Sequence, residues 1–167
     1  VVSNATGSDS ITQTSIINVA GPSTSAIPYI ESFEDPLSFP GTSGLIINED
    51  NGTTWARVTN AAVSGSASIR INNYTNTAGQ LDEWIMPTMD FSNISAPIVM
   101  TFYVANAQRN SNSDDRLTFS GSLNCGANWM MRYNKSGAQL ATTTSFSSTN
   151  FTPNASQWRE ETISLNP

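Results

Sequence analysis

Hydrophobic residues in this chain fall in short clusters rich in β-branched and aromatic types. Gly, Asn, Ser and Pro separate them, and helical spacing is nearly absent. The pattern predicts strands over residues 11–19, 45–48, 54–59, 68–71, 83–86, 98–105, 116–120, 129–134 and 157–165. Strands punctuated by turn residues at such intervals predict an all-β sandwich or jelly roll. Both faces of 98–105 are mostly apolar, which predicts a central strand covered on both sides. Leu117 and Phe119 alternate with polar neighbours, as a half-buried strand requires.

A boundary is expected at residues 20–28, where Gly21, Pro22, Pro28 and small polar residues break any periodicity, as linkers do. Residues 1–19 before it read as two strands and a turn, too little to bury a core. They are expected to end a preceding domain or to add an edge. The chain stops at Leu165, Asn166 and Pro167 directly after a strand, and both ends are expected to have been cut from a longer polypeptide.

Composition narrows the chemistry. The 167 residues suit one domain, and the net charge of −6 comes from 7 Lys+Arg against 13 Asp+Glu. A nucleic-acid partner needs clustered basic residues, and here none are adjacent. No run approaches the ~18 apolar residues of a membrane-spanning helix. The start at Val1 and Val2 lacks a signal peptide, so an export signal is expected elsewhere. The absence of histidine removes the commonest general base and transition-metal ligand. Lys135 reads as part of a hairpin turn with Asn134, Ser136 and Gly137, rather than as a catalytic base. Ser, Thr and Asn make up more than a third of the chain, which suits a secreted β-rich domain and argues against an enzyme. Cys125, the lone cysteine, reads as a buried inert thiol, the alternative being an intermolecular bridge.

Two resemblances follow from particular residues. Val2 to Ser10, followed by Thr12 to Val19, resembles the last hairpin of a PKD domain, an immunoglobulin-like sandwich. Ile30-Glu31-Ser32-Phe33-Glu34, then Trp55, then Asp82-Glu83-Trp84-Ile85-Met86-Pro87 and Met89-Asp90-Phe91-Ser92, resembles the cleaved-adhesin, or choice-of-anchor J, jelly roll, which is related in fold to MAM domains. Asp115-Arg116-Leu117, the run from Asn124 to Trp129, Lys135-Ser136-Gly137 and Gln157-Trp158-Arg159 resemble the version found in secreted pappalysin-like metalloproteases of bacteria with type IX secretion. The resemblance divides the chain into a PKD-like hairpin at 1–19, a linker at 20–28 and a jelly roll at 29–167, whose closing strands are expected to lie outside it. The His-Glu-x-x-His of the catalytic domain is absent from this chain.

The resemblance also implies a structural calcium site near the Phe33-Glu34 segment. Calcium takes six to eight oxygens, and Glu34, Asp50 and Asp82 are the candidate ligands. Glu49-Asp50-Asn51-Gly52 supplies an oxygen-rich loop with Gly52 for a sharp turn, although its spacing is not that of an EF-hand. Solvated or turn-capping carboxylates are the alternative. Trp84 and Trp129, beside apolar residues, are expected to pack the sandwich. Trp55 and Trp158 have more polar neighbours and are the candidates for ligand contact.

The expected function is a non-catalytic accessory or adhesion module of a large secreted or cell-surface protein, a type IX-secreted metalloprotease in particular. Its expected partners are neighbouring domains, a polysaccharide, a host extracellular protein or the secretion machinery. The rival readings are a carbohydrate-binding module, and a structural spacer or cargo segment held by an export component.

Overall fold

The computed structural model describes residues 2–4, 7–9, 25–41, 44–95 and 97–166. The described residues hold ten short strands: β1 (Val2–Asn4), β2 (Gly7–Asp9), β3 (Leu45–Asn48), β4 (Ala56–Val58), β5 (Ser68–Arg70), β6 (Asp82–Ile85), β7 (Val99–Val104), β8 (Arg116–Gly121), β9 (Met130–Ser136) and β10 (Arg159–Ser164). One helical turn, α1 (Gly137–Leu140), follows β9, and a 3-10 turn at Ala155–Gln157 precedes β10. The molecule is an all-β protein, as the clustering of its apolar residues predicts.

The strands pair in antiparallel ladders: β1 with β2, β3 with β6, β4 with β5, β7 with β10, and β8 with β9. Pairing β3 with β6 and β7 with β10 joins strands far apart in sequence, as a sandwich topology requires. Eight of the predicted strands fall on observed ones within a few residues at each end; the ninth, 11–19, lies outside the described residues. At the amino terminus Val2–Asn4 pairs with Gly7–Asp9.

Two aromatic clusters organise the packing. Phe102 of β7, Phe119 of β8 and Tyr133 of β9 meet with ring centroids 4.6, 5.2 and 6.0 Å apart, setting the β7–β10 ladder against the β8–β9 ladder. Each aromatic pair adds about 0.5–1.5 kcal/mol beyond its area burial. Ile163 is buried on β10, and Leu140 is buried on α1. In the second cluster, Phe33, Phe39 and Trp84 stand 5.1–6.1 Å apart and hold the loop before β3 onto β6. The Trp84 indole N–H donates to the Pro40 carbonyl at 3.3 Å.

Three local expectations are corrected. First, β7 is not covered on both sides: its exposure alternates, with Val99 55% and Tyr103 46% exposed. Its outer face is capped by polar cross-strand pairs, Tyr103 with Glu160 at 2.5 Å and Thr101 with Thr162 at 3.4 Å, so apolar character there does not signal a second sheet. Second, Lys135 is not in a turn. β9 runs on through Ser136, because Gly137, at φ 49, is the residue that leaves the strand. Third, Cys125 is exposed, on a turn closed by the Ala127 N–H donating to the Asn124 carbonyl, and its own φ of 56 holds it at the tip rather than in a strand.

Candidate functional site

Glu34 acts as a clamp between two stretches of chain. Its Oε1 accepts the backbone N–H of Ser66 at 2.8 Å and of Ala67 at 2.9 Å, and its Oε2 accepts the Ser66 hydroxyl at 2.7 Å. The Ser66 N–H, then the Ser66 hydroxyl and the Ala67 N–H, hold this carboxyl below the usual carboxylate range against a small opposing effect of burial, with Arg57 adding attraction. Arg57 donates from Nε to the Phe33 carbonyl and from Nη2 to the Glu34 carbonyl, the latter at 2.9 Å. These bonds fix Phe33 at φ 62, a left-handed conformation that a bulky residue seldom adopts. Gly65 completes the clamp. A Cβ at this position would lie 2.4 Å from Glu34 Oε1, and its φ is +66.

Asp50 serves its own turn. Its Oδ1 accepts the Gly52 N–H at 2.9 Å, and the left-handed residue of the turn is Asn51, at φ 56, not Gly52. The Gly52 carbonyl in turn accepts the Asn48 side-chain amide at 3.1 Å.

Asp82 is placed differently. It opens β6 directly across the ladder from Asn48, the last residue of β3. Its carbonyl accepts the indole N–H of Trp55 at 3.2 Å. Both of its carboxylate oxygens expose less than 1 Å² and meet no hydrogen-bond donor from the described residues, and the same holds for Asn48 Oδ1 and Thr54 Oγ1.

Glu34, Asp50 and Asp82 therefore occupy separate places, and among the described residues no three His, Cys, Asp or Glu side chains gather where they could hold a metal. Glu34 has its oxygens filled by chain donors; Asp82 does not.

Of the candidate tryptophans, Trp55 is half-buried and engaged with β6. Trp158 is half-buried at the start of β10, with its indole nitrogen shielded from solvent. Trp84 packs as expected, but Trp129 is 51% exposed, and Leu123 at 74%, Met130 at 41% and Met131 at 60% are exposed as well. These four project from the β8–β9 hairpin and its connecting loop. Trp129 follows a turn built on Cys125 and Gly126 (φ +84), which carries it out of the strand before β9 begins. That turn was the available signal in the sequence.

Sequence reasoning also passed over a charge cluster around the buried Glu161. Glu161 of β10 receives Lys135 Nζ at 2.7 and 2.8 Å and Arg159 Nε at 2.8 Å. Arg159 further donates to the carbonyls of Ala141, Gln139 and Leu140, closing the end of α1. Burial pushes the Glu161 carboxyl up, and the hydrogen bonds and charges of Lys135 and Arg159 outweigh it and hold the group below the usual carboxylate range. Lys135 Nζ is thus engaged by both oxygens of Glu161.

Paired antiparallel ladders, aromatic packing between them and a near absence of helix define an all-β sandwich. A solved structure shares this fold: the K1 cleaved adhesin domain of Lys-gingipain from Porphyromonas gingivalis W83, with a TM-score of 0.50 and 20% identity over 81% of this chain and 79% of that one. The likeness is one of fold. Neither a protein-family model nor a curated protein matches the chain. Among the described residues no helix is long and apolar enough to cross a membrane.

Proposed function

We propose that this chain is a non-catalytic adhesion module of a large secreted or cell-surface bacterial protein, and that it binds the surface of another protein through the β8–β9 hairpin. The observation that carries the reading is the exposed quartet of Leu123, Trp129, Met130 and Met131 on a sandwich whose fold is shared by a cleaved adhesin domain. Exposed large apolar side chains gathered on one hairpin favour a protein contact. Methionine adapts its shape to a partner, and a tryptophan supplies the large rigid anchor. A sugar site would instead present flat aromatic rings with hydrogen-bonding groups between them. The two candidate tryptophans for that role, Trp55 and Trp158, are half-buried.

The non-catalytic reading is supported by the lack of histidine and by the engagement of the single lysine with Glu161. The parent we propose is a type IX-secreted metalloprotease, on the strength of the motifs around Asp115, Asn124, Lys135 and Gln157. The hairpin would then meet either a neighbouring domain of that parent or an extracellular protein.

The test is binding of the chain to immobilised extracellular proteins, neighbouring parent domains and polysaccharides, with Trp129→Ser/Met131→Ser as the comparison. Retention on a protein, reduced at least tenfold in the double variant, is expected. Retention on polysaccharide alone, or equal retention of the variant, would overturn the reading in favour of a carbohydrate-binding module or a spacer.

A further inference from the structure

We infer that Asn51-Gly52 is a self-modifying site, at which the asparagine exchanges its amide for water and becomes an aspartyl or isoaspartyl residue, and that Asp50 restrains the reaction. Asparagine is a thermally labile side chain, and it reacts fastest where the next residue leaves its backbone nitrogen uncrowded. This is the one Asn-Gly pair in the sequence; every other asparagine is followed by a residue with a side chain. Both residues are exposed on the loop after β3, within reach of water and hydroxide. The turn itself keeps a glycine there, since a Cβ at Gly52 would lie 2.9 Å from Asp50 Oδ2 and 3.2 Å from Oδ1.

The chemistry needs only water. Hydroxide takes the proton of the Gly52 amide, and the freed nitrogen pair attacks Asn51 Cγ. A new N–C bond forms and the Cγ–Nδ2 bond breaks. Ammonia leaves, carrying a proton from water and so regenerating hydroxide. The product is a five-membered succinimide, which water opens at either of its two carbonyls. Opening at one gives an ordinary aspartyl link; opening at the other gives an isoaspartyl link. Nothing is oxidised or reduced.

Two hydrogen bonds govern the attack and its consequence. The Gly52 N–H donates to Asp50 Oδ1 at 2.9 Å, so the proton that has to leave is held by a carboxylate. A negative charge at that distance also opposes formation of the anionic nitrogen, and the bond has to open before the nitrogen can react. On its other side, the Gly52 carbonyl accepts Asn48 Nδ2 at 3.1 Å, which ties the turn to the last residue of β3. An isoaspartyl link runs the main chain through the side chain and inserts one methylene before Gly52. Gly52 then loses its place against Asn48, the residue that faces Asp82 across the ladder. Either product also adds a negative charge beside Glu49 and Asp50, in a chain already at −6.

The test is ageing of the whole folded chain at mildly alkaline pH, followed by peptide mapping with mass spectrometry and by enzymatic methylation of isoaspartate. Position 51 is expected to convert ahead of every other asparagine and to yield both links. Asp50→Ala is expected to speed conversion at least tenfold, because a charge-assisted hydrogen bond no longer holds the Gly52 proton. Asn48→Ala loosens the same turn from its carbonyl side and leaves the Gly52 N–H on Asp50, so it is expected to speed conversion less than threefold. Conversion of another asparagine first, or none at position 51, would overturn the site. Equal rates in the parent chain and Asp50→Ala would overturn the restraint, and so would equal acceleration by Asn48→Ala and Asp50→Ala, which would assign the effect to loosening of the turn.

Discussion

Glu161 and Asp82 are both strand carboxylates withdrawn from solvent, yet their surroundings are opposite. Glu161 sits at the β9–β10 end of the molecule with two cations within 2.8 Å. Asp82 sits at the β3–β6 end with its oxygens shielded and no donor among the described residues. The first carboxylate is complete within the chain, and its work is to hold α1 and β9 to β10. The second receives no donor from the described residues. The contrast teaches that burial of a charge does not by itself mark a ligand site; the state of its partners does. It also gives the two carboxylates different expected responses to substitution.

The largest effect is expected from Glu161→Gln. Breaking a buried ion pair usually costs about 3–5 kcal/mol. Lys135 and Arg159 keep 35% and 34% of their side chains exposed, so solvent screens part of the loss, and about 2 kcal/mol is expected in urea unfolding. A loss below about 0.5 kcal/mol would show that the cluster is incidental and would dissolve the comparison.

The same group sets a pH dependence. Its carboxyl is held below the ordinary 4.5, so its contribution is fully present above that value and is lost as pH falls through the depressed one. Glu34 is shifted in the same direction, by Ser66 and Ala67. Melting midpoints should therefore fall on acidification from pH 5 to 3, and Glu161→Gln should flatten part of that slope. An unchanged slope in the variant would remove Glu161 as a cause.

Most of the architecture was legible beforehand, because strand formation in a sandwich follows local clustering of β-branched and aromatic residues. The segment 45–48 is Leu-Ile-Ile-Asn between polar turns, and β3 occupies those four residues. What local pattern cannot encode is which strands meet. Nothing around Asn48 reveals that Asp82 stands opposite, so the oxygen pair stayed hidden while Asp82 alone drew notice as an acid. Lys135 misled for the same reason: Asn, Ser and Gly around it spell a turn, and only the position of Glu161 across the packing makes it a strand residue worth burying. At β7 the sequence overstated burial, since an outward Tyr103 satisfied by Glu160 has the same letter as a core tyrosine. Trp129 was misplaced because its apolar neighbours Met130 and Met131 are themselves exposed.

A third carboxylate sharpens the contrast. Glu34 is exposed but fully bonded, and its clamp depends on Gly65 having no side chain. Gly65→Ala would set a Cβ 2.4 Å from Glu34 Oε1 at a φ of +66, so a loss of about 1–2 kcal/mol is expected in thermal or urea unfolding. A neutral result would mean that the clamp yields without cost. Smaller still, and opposite in sign, is Asp82→Asn measured in chelator. Removing an unpaired shielded charge is expected to stabilise by about 1 kcal/mol, whereas the like change at Glu161 destabilises. Destabilisation by Asp82→Asn in chelator would mean that the carboxylate already has a partner within the chain, and the two ends would no longer differ in kind.

The smallest effect is expected where an ion pair stands fully in solvent. Asp114 and Arg116 form an ion pair at 3.9 Å on the surface, with side chains 68% and 55% exposed. Here water serves both charges as well as they serve each other, and the long arginine must be held still to make the contact. Asp114→Asn is therefore expected to change unfolding by less than about 0.5 kcal/mol, with no dependence on calcium and little on acid. If this variant matched Glu161→Gln in urea unfolding, net charge rather than local pairing would be setting stability. The separate roles of the β3–β6 and β9–β10 ends would then have to be rebuilt on the chain's overall excess of acid.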